Sequence, residues 1–313
     1  MTPIYSVVVP LYNEEEVIAE TYKRLTAVME QAGGPYELVF VNDGSRDNTL
    51  AQAKDICARD SRVRLLSFSR NFGHQIAITA GMEHARGQAV VVIDADLQDP
   101  PEVILQMIDK WKEGYGVVYG LRTLRRGENA FKKMTASVFY RVLRHMTDVD
   151  VPVDAGDFRL LDRRALDALL RLPERNRYVR GLVSWVGFKQ AGVPFVREER
   201  FAGVTKYPLK RMLRFAGDAI VSFSRKPLKW PAFMGGLTMA GGLGYLIALL
   251  VRALTGGFIG GPVQWEPLLM LGIVLTVLGC AMLLLGFVGA YIGRIYDEAK
   301  GRPLYILEEE INS

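Results

Sequence analysis

Short apolar runs alternate with amphipathic stretches through the first 120 residues of the chain. The apolar runs predict β-strands because they are short and rich in Val, Ile and Phe; they cover Ile4–Pro10, Glu37–Asn42, Val63–Phe68, Ala89–Asp94 and Val117–Gly120. The stretches between them carry apolar residues at helical spacing, which predicts helices at roughly Glu14–Gln31, Thr49–Arg59, Gln75–Ala85 and Pro101–Glu113. This alternation predicts an α/β domain with a doubly wound, Rossmann-like sheet, in which ligands bind beyond the carboxyl ends of the strands.

Two long stretches without a charged residue lie in the last third of the chain, at 231–251 and 267–293. Each exceeds the roughly 20 residues that a helix needs to cross the bilayer core. We therefore expect two transmembrane helices within 230–294, joined by a short external loop at 253–266. A pair of helices buried inside a soluble domain is the alternative.

The distribution of basic residues around these stretches predicts their orientation. Arg225, Lys226 and Lys229 precede the first stretch and Arg294, Lys300 and Arg302 follow the second, whereas the connector contains only Arg252. Basic residues mark the cytoplasmic side of a membrane protein. We therefore expect a multi-pass protein of the inner, cytoplasmic membrane, with a domain at 1–200, both termini and a solvated tail at 295–313, including Glu308–Glu310, in the cytoplasm. No signal peptide is expected, since the N-terminus lacks a basic region and a cleavage site.

A basic segment at 201–229 links the predicted domain to the first apolar stretch. The formal net charge is +5, and between Arg197 and Lys229 nine basic residues face three acidic ones. Tyr207–Ser224 has apolar residues at helical spacing, which predicts an amphipathic helix at the membrane surface or, alternatively, one packed on the domain. The segment suits anionic lipid phosphates. Because it lacks interleaved aromatic residues, nucleic acid is not expected as a partner. A further helix is predicted at Arg122–Arg144.

Two carboxylates separated by one small residue end the fourth predicted strand, in the triplet Asp94-Ala95-Asp96. Such a pair can direct oxygen atoms at one hard divalent cation, and in proteins these cations often bridge phosphates. The triplet therefore indicates a nucleotide diphosphate site. A carboxylate at a strand end can also cap the next helix.

Polar clusters follow three other predicted strands and belong to the same sheet edge: Asn13-Glu14, Asn42-Asp43-Gly44-Ser45 and Ser69-Arg70-Asn71. Because parallel strands present their carboxyl ends at one edge, we expect these side chains to surround one site. Asp43-Gly44 is also a favourable turn pair, so a purely structural role for Asp43 is the alternative.

Four motifs in order carry a resemblance to a known family: Val9-Pro10-Leu11-Tyr12-Asn13-Glu14, Val41-Asn42-Asp43-Gly44-Ser45, Asn71-Phe72-Gly73-His74 and Asp94-Ala95-Asp96-Leu97-Gln98-Asp99-Pro100-Pro101. They resemble the family 2 glycosyltransferases of GT-A fold. The two apolar stretches and the ending Tyr291-Ile292-Gly293-Arg294-Ile295-Tyr296 make the chain more similar still to the polyprenyl-phosphate branch, which contains GtrB-type bactoprenol glucosyltransferases and dolichol-phosphate mannose synthases.

The resemblance implies roles for residues around the donor. Those implied to bind the nucleotide sugar are Pro10, Tyr12, Glu14, Asp43, Asp94 and His74. Asp94 and Asp96, with Gln98 as a further oxygen donor, are implied to hold Mg²⁺ or Mn²⁺ against the diphosphate, where Asp96 counts as catalytic.

The resemblance also implies an acceptor, a polyprenyl phosphate. The residues implied to bind its phosphate are Arg122, Arg126, Arg200, Thr205, Lys206 and Tyr207, with Lys132 and Lys133 as further candidates. Asp157 matches a position assigned as catalytic base; it could take a proton or orient the acceptor, and Asp154 is the nearby competitor. Related enzymes form tetramers, so a homotetramer is expected.

These features together predict inverting transfer of a hexose, glucose from UDP-glucose, to undecaprenyl phosphate at the cytoplasmic membrane face. The same reaction with GDP-mannose, UDP-GlcNAc or a UDP-aminoarabinose type of donor is the alternative. A processive polysaccharide synthase is disfavoured because none of the four Trp residues follows an Arg. A membrane scaffold without catalysis is disfavoured because both Asp94 and Asp96 are present.

Overall fold

A computed structural model describes residues 2–124, 155–175, 177–198 and 266–312, together with single helical residues at 237, 240, 241, 244, 245, 247 and 251. The chain divides into two compact units. The first contains Met1–Phe215 and Arg302–Ser313, and the second contains Ala216–Gly301. Each unit is described by itself below.

An eight-stranded mixed sheet forms the centre of the first unit. Its strands are β1 (Tyr5–Leu11), β2 (Tyr36–Asn42), β3 (Val63–Phe68), β4 (Ala89–Val92), β5 (Val117–Leu124), β6 (Ala155–Asp162), β7 (Gln190–Val196) and β8 (Leu307–Ile311). They lie in the order β7-β5-β6-β4-β1-β2-β3-β8. The strands β1 to β4 are mutually parallel, while β6 runs antiparallel to β4 and β5, and β8 runs antiparallel to β3. The carboxyl ends of β1, β2, β4 and β5 therefore share one edge.

Helices cover both faces of this sheet. They are α1 (Ile18–Ala32), α2 (Thr49–Arg59), α3 (His74–His84), α4 (Val103–Lys112), α5 (Arg163–Leu170) and α6 (Val179–Trp185). In α1 the buried residues Ile18, Leu25 and Met29 recur at helical spacing, so one stripe of the helix faces the core. The central strands are buried on both faces, as expected where helices pack on each side.

Helix α3 packs very close to β1, and a glycine makes this possible. A Cβ built at Gly81 would lie 2.2 Å from Val8 Cγ1, a separation that real atoms do not reach. Glycine at this position therefore allows the helix to lie directly against the strand. The same packing places the first residue of α3, His74, near the end of the neighbouring strand β4.

The five strands and four helices predicted for the first 120 residues are confirmed, with boundaries shifted by up to four residues. The α/β prediction is therefore confirmed, although the sheet is mixed rather than parallel throughout. The predicted helix at Arg122–Arg144 is wrong at its start, because Arg122 to Leu124 extend β5; residues 125–144 lie outside the described part of the chain. The predicted interfacial helix Tyr207–Ser224 also lies outside it.

The expectation of a solvated C-terminal tail is wrong. Leu307–Ile311, which includes the acidic run, forms β8 and pairs with β3 at the edge of the sheet. The run of acidic residues has no strand pattern of its own. Its pairing could not be predicted locally because the partner strand, β3, lies more than 230 residues away in sequence.

The second unit contains a long helix, α7, at Glu266–Ala299. Apolar side chains of this helix, including Met282, Leu285 and Ile292, are exposed. Among the residues that the structure describes, one helical window, Cys280–Ala299, is long and apolar enough to cross a membrane. The first apolar stretch, 231–251, is described only at single positions.

Candidate active site

The Asp94–Asp99 loop follows β4 at the carboxyl edge of the sheet. Asp94 Oδ1 is enclosed and accepts no hydrogen bond from the described residues. Asp96 Oδ1 accepts a hydrogen bond from the Gln98 backbone N–H at 3.2 Å, and Leu97 between them has a positive φ of 56°. This tight turn fixes Asp96 on the same short loop as Asp94.

The carboxylates of this loop fit a divalent cation only if a substrate supplies the remaining ligands. The described residues contain no group of three His, Cys, Asp or Glu side chains that could hold a metal ion. Two hard carboxylates, one with an enclosed oxygen that accepts no hydrogen bond from the described residues, suit Mg²⁺ or Mn²⁺, which commonly take their other ligands from phosphates and water. The residues therefore fit a cation shared with a diphosphate.

His74 lies between two carboxylates from different parts of the chain. Its Nε2 is 3.5 Å from Asp94 Oδ1 and 3.4 Å from Asp157 Oδ2. Loss of water lowers the pKa of His74, but the negative charges of Asp94 and Asp157 outweigh this and raise the pKa to about 9. The imidazole is therefore a cation at neutral pH. Asp157 and Asp94, which are distant in sequence, thus meet at one imidazole nitrogen.

Asp157 is buried on β6, and its carboxylate is surrounded by donors. Arg180 donates from Nε to Oδ1 at 2.8 Å and from Nη2 to Oδ2 at 3.0 Å. Gln75 donates from Nε2 to Oδ2 at 3.2 Å. Burial raises the pKa of Asp157, but Arg180 and His74 more than compensate and hold it well below its usual range. This carboxylate therefore remains ionised and is a weak proton acceptor.

Asp43 joins two loops of the nucleotide edge. Its oxygens accept hydrogen bonds from the backbone N–H groups of Phe72 and Gly73, at 2.6 and 3.0 Å, and from Asn71 Nδ2 at 2.9 Å. Burial raises the pKa of Asp43, although these bonds oppose the shift. In this arrangement the carboxylate shapes the loop that carries His74.

The loop after β1 is also fixed by the loop after β2. Asn13 has a positive φ of 54°, and its backbone N–H donates to Ser45 Oγ at 3.1 Å. The Glu14 backbone N–H donates to Thr49 Oγ1 at 2.8 Å. Tyr12 is exposed at this edge, whereas Pro10 is buried within β1. The structure thus brings most predicted nucleotide residues to one edge.

Asp99 forms a charge cluster with two arginines. Arg122 Nη2 donates to both oxygens of the buried Asp99, at 3.0 and 3.2 Å. Arg197, which follows β7, places Nε 3.7 Å from Asp99 Oδ1. A Cβ at Gly156 would lie 2.8 Å from Arg122 Nη2, so glycine at this position leaves room for the guanidinium. The cluster connects the Asp94–Asp99 loop with β5, β6 and β7.

Several predicted phosphate-binding residues lie outside the described part of the chain: Arg126, Lys132, Lys133, Arg200, Thr205, Lys206 and Tyr207. Sequence reasoning missed Gln75, Arg180, Asp99 and Arg197. Asp99 stands inside a motif that was recognised, whereas Arg180 has no local signal, since only tertiary contacts bring it to Asp157.

A mixed α/β sheet with paired carboxylates at its carboxyl edge suits a glycosyltransferase, and the comparison with known families shows that the chain is one. The chain belongs to glycosyl transferase family 2, whose profile matches residues 6–170. The predicted resemblance is therefore confirmed.

Several relatives match nearly the whole chain. The uncharacterized glycosyltransferase YkcC of Bacillus subtilis is 56% identical, over 97% of this chain and 93% of the relative. The bactoprenol glucosyl transferase of Shigella phage SfV is 38% identical, over 97% of this chain and 98% of the relative. Among solved structures, the chain is similar to glucosyl-3-phosphoglycerate synthase from Mycobacterium tuberculosis, with 22% identity, a TM-score of 0.46 and coverage of 70% of this chain and 78% of that one.

Proposed function

We propose that this protein transfers glucose from UDP-glucose to undecaprenyl phosphate, with inversion at the anomeric carbon. One observation carries the proposal: the Asp94, His74 and Asp157 arrangement lies at the strand ends of a chain that is similar throughout to bactoprenol glucosyl transferases. The carbohydrate that those relatives are named for is the basis for choosing glucose.

Asp94 and Asp96 would hold Mg²⁺ or Mn²⁺ at the donor. The enclosed Oδ1 of Asp94, which accepts no hydrogen bond from the described residues, and the turn that fixes Asp96 support this assignment. When bound, the ion would neutralise charge on the departing diphosphate. The imidazole of His74 lies beside Asp94, with Nε2 3.5 Å from Oδ1.

The acceptor supplies its own nucleophile. A phosphate monoester has a second pKa near 6, so it is largely a dianion at neutral pH and needs no strong base. A single displacement by this oxygen converts an α-linked donor into a β-linked lipid sugar. Arg122 beside Asp99 and the basic segment at 200–207 are the proposed phosphate-binding groups.

We propose two membrane crossings, with the catalytic unit in the cytoplasm. The first unit contains residues on both sides of the second one in sequence, so the chain leaves it before Ala216 and returns at Arg302. A folded unit on one side of a membrane requires an even number of crossings between these points. Helix α7, with its exposed apolar side chains, and the first apolar stretch at 231–251 together supply two crossings.

We also propose a homo-oligomer, a tetramer, assembled through these helices. Two helices alone offer little internal packing, and small residues that permit close helix contact recur in both stretches, such as Gly241 and Gly244 in the first and Gly286 and Gly289 in the second. Light scattering of the active, detergent-solubilised protein would test this, and an active particle of monomer mass would refute it.

A donor panel tests the reaction. Purified protein would be incubated with Mn²⁺, undecaprenyl phosphate and, in turn, UDP-glucose, UDP-GlcNAc, GDP-mannose and a UDP-aminoarabinose donor. We expect a glucosylated lipid that is stable to a glycosidase specific for α-linkages. A product formed only from another donor would show that the transferred sugar is not glucose. An absence of lipid product with every donor would contradict the proposal.

A further inference from the structure

The carboxylate of Asp157 is held by two helices rather than left open to a substrate. Arg180 on α6 binds both of its oxygens, and Gln75 on α3 binds Oδ2. Only 7% of the Asp157 side chain is exposed, against 26% for Arg180. A buried carboxylate that accepts three hydrogen bonds from two neighbours has little capacity left for a proton from an acceptor.

Gln75 connects the two helices at this point. Its Oε1 accepts a hydrogen bond from the backbone N–H of Val179 at 3.1 Å, while its Nε2 donates to Asp157. Val179 is the residue before Arg180 and the first of α6. Gln75 therefore fixes the start of α6 to the start of α3, where His74 also lies.

The same carboxylate contacts His74, whose Nε2 also faces Asp94. These contacts connect Arg180 to Asp157, Asp157 to His74, and His74 to Asp94, which is a proposed metal ligand. We propose that Arg180, together with Gln75, is a positioning residue that holds Asp157 in the orientation that keeps His74 beside Asp94. This inference rests on the proposed function and deepens it.

The charged groups around Asp157 explain why its ion pair with Arg180 must remain intact. Asp157 faces the guanidinium groups of Arg180 and of the buried Arg159 and the imidazole of His74, and the carboxylate of Asp94 lies on the other side of His74. Removing one partner of a buried ion pair leaves the other charge without compensation, which costs more than removing both. Loss of Arg180 would therefore release Asp157 and disturb His74.

A double-mutant cycle tests the proposal. Arg180→Gln, Asp157→Asn and the double variant would be assayed with saturating undecaprenyl phosphate and varied UDP-glucose, beside Arg180→Lys. We expect Arg180→Gln to lower kcat by about 10²-fold, as for a misplaced catalytic group, with little change in KM for the donor. Arg180→Lys should lose less activity because lysine keeps the positive charge, although it cannot form the bidentate pair that the guanidinium makes with Asp157.

The double variant decides whether Arg180 acts through Asp157. If it does, the double variant loses no more activity than the worse single variant, because both changes break one unit. Losses that multiply would show that Arg180 acts independently of Asp157 and would overturn the proposal, as would an unchanged kcat for Arg180→Gln. Arg164→Gln is the matched control, since Arg164 is 80% exposed and also pairs with an aspartate at the β6 end; it should behave as wild type.

Thermal unfolding of the same variants gives a readout that needs no substrate. Each single change should lower Tm, and the double variant should lower it by less than the sum. If wild type transfers no glucose to undecaprenyl phosphate, the proposed function fails, while a non-additive Tm cycle still supports the coupling of Arg180 to Asp157. Additive Tm losses would overturn the inference whatever the substrate.

Discussion

Arg64 on β3 and Glu310 on β8 form an ion pair between residues 246 positions apart, with Nη2 3.2 Å from Oε1. Arg64 is buried, and its Nη1 also donates to Glu37 at 3.1 Å and to the His84 carbonyl at 2.7 Å. The terminal strand thus supplies one of three partners for a buried guanidinium. The last residues of the chain are part of the catalytic unit.

We expect Glu310→Gln to destabilise the catalytic unit by about 1 kcal/mol, since the pair is only partly shielded from water. Chemical denaturation of the detergent-solubilised protein would measure the change. Glu308→Gln, an exposed change on the same strand, is the control and should leave stability unaltered. Equal losses from the two variants would contradict a specific role for the pair with Arg64.

Asp94→Asn and Asp96→Asn should each lower the transfer rate by about 10²-fold or more while the fold stays intact, because both would change proposed ligands of one cation. EDTA should inactivate the wild type, and added Mn²⁺ should restore it. Asp109→Asn, an exposed change on α4, should retain full activity. Full activity in EDTA would exclude the metal assignment.

Gly156→Ala should displace Arg122, because the new methyl group would lie 2.8 Å from its Nη2. The guanidinium end of an arginine can move, so we expect a folded protein whose KM for undecaprenyl phosphate rises. The KM for UDP-glucose should change much less. Arg122→Gln removes the same guanidinium and should give the same pattern of steady-state constants; a selective rise in donor KM would place Arg122 on the donor instead.

Asp157→Asn should bind UDP-glucose normally and turn over slowly at every pH from 6 to 9. The low pKa of Asp157 keeps the native carboxylate ionised throughout this range, so protonation of Asp157 does not limit the wild type until the pH falls below that pKa. Raising the pH removes the last proton of the acceptor phosphate, whose pKa is near 6. Recovery of the variant's rate at high pH would identify Asp157 as a base rather than an orienting group.

Lys206→Ala and Arg200→Ala should raise the KM for undecaprenyl phosphate by about 10-fold or more, as expected for a charge-assisted hydrogen bond. The KM for UDP-glucose should change little. Lys189→Ala removes an exposed lysine that lies over the Tyr115 ring, and it should leave both constants unchanged. Equal rises for the two substrates would count against an acceptor role.

Local patterns in the sequence predicted much of the central sheet. Strand β3 and helix α2 match their predicted boundaries, because hydrophobic periodicity over a few residues determines such elements. The pattern failed at β8, where the acidic residues Glu308–Glu310 gave no strand signal, and at Arg122, where basic character predicted a helix. Pairing with a distant strand determined both positions.

By itself, the sequence determined the family, the carboxylate pair Asp94 and Asp96, and the strand end that carries this pair, since each depends on residues that are close together in the chain. Only the tertiary structure brought Asp157 and Arg180 to His74, and Arg64 to Glu310. The physical reason is that an ion pair depends on distance in space and on burial, and neither quantity follows from spacing along the chain.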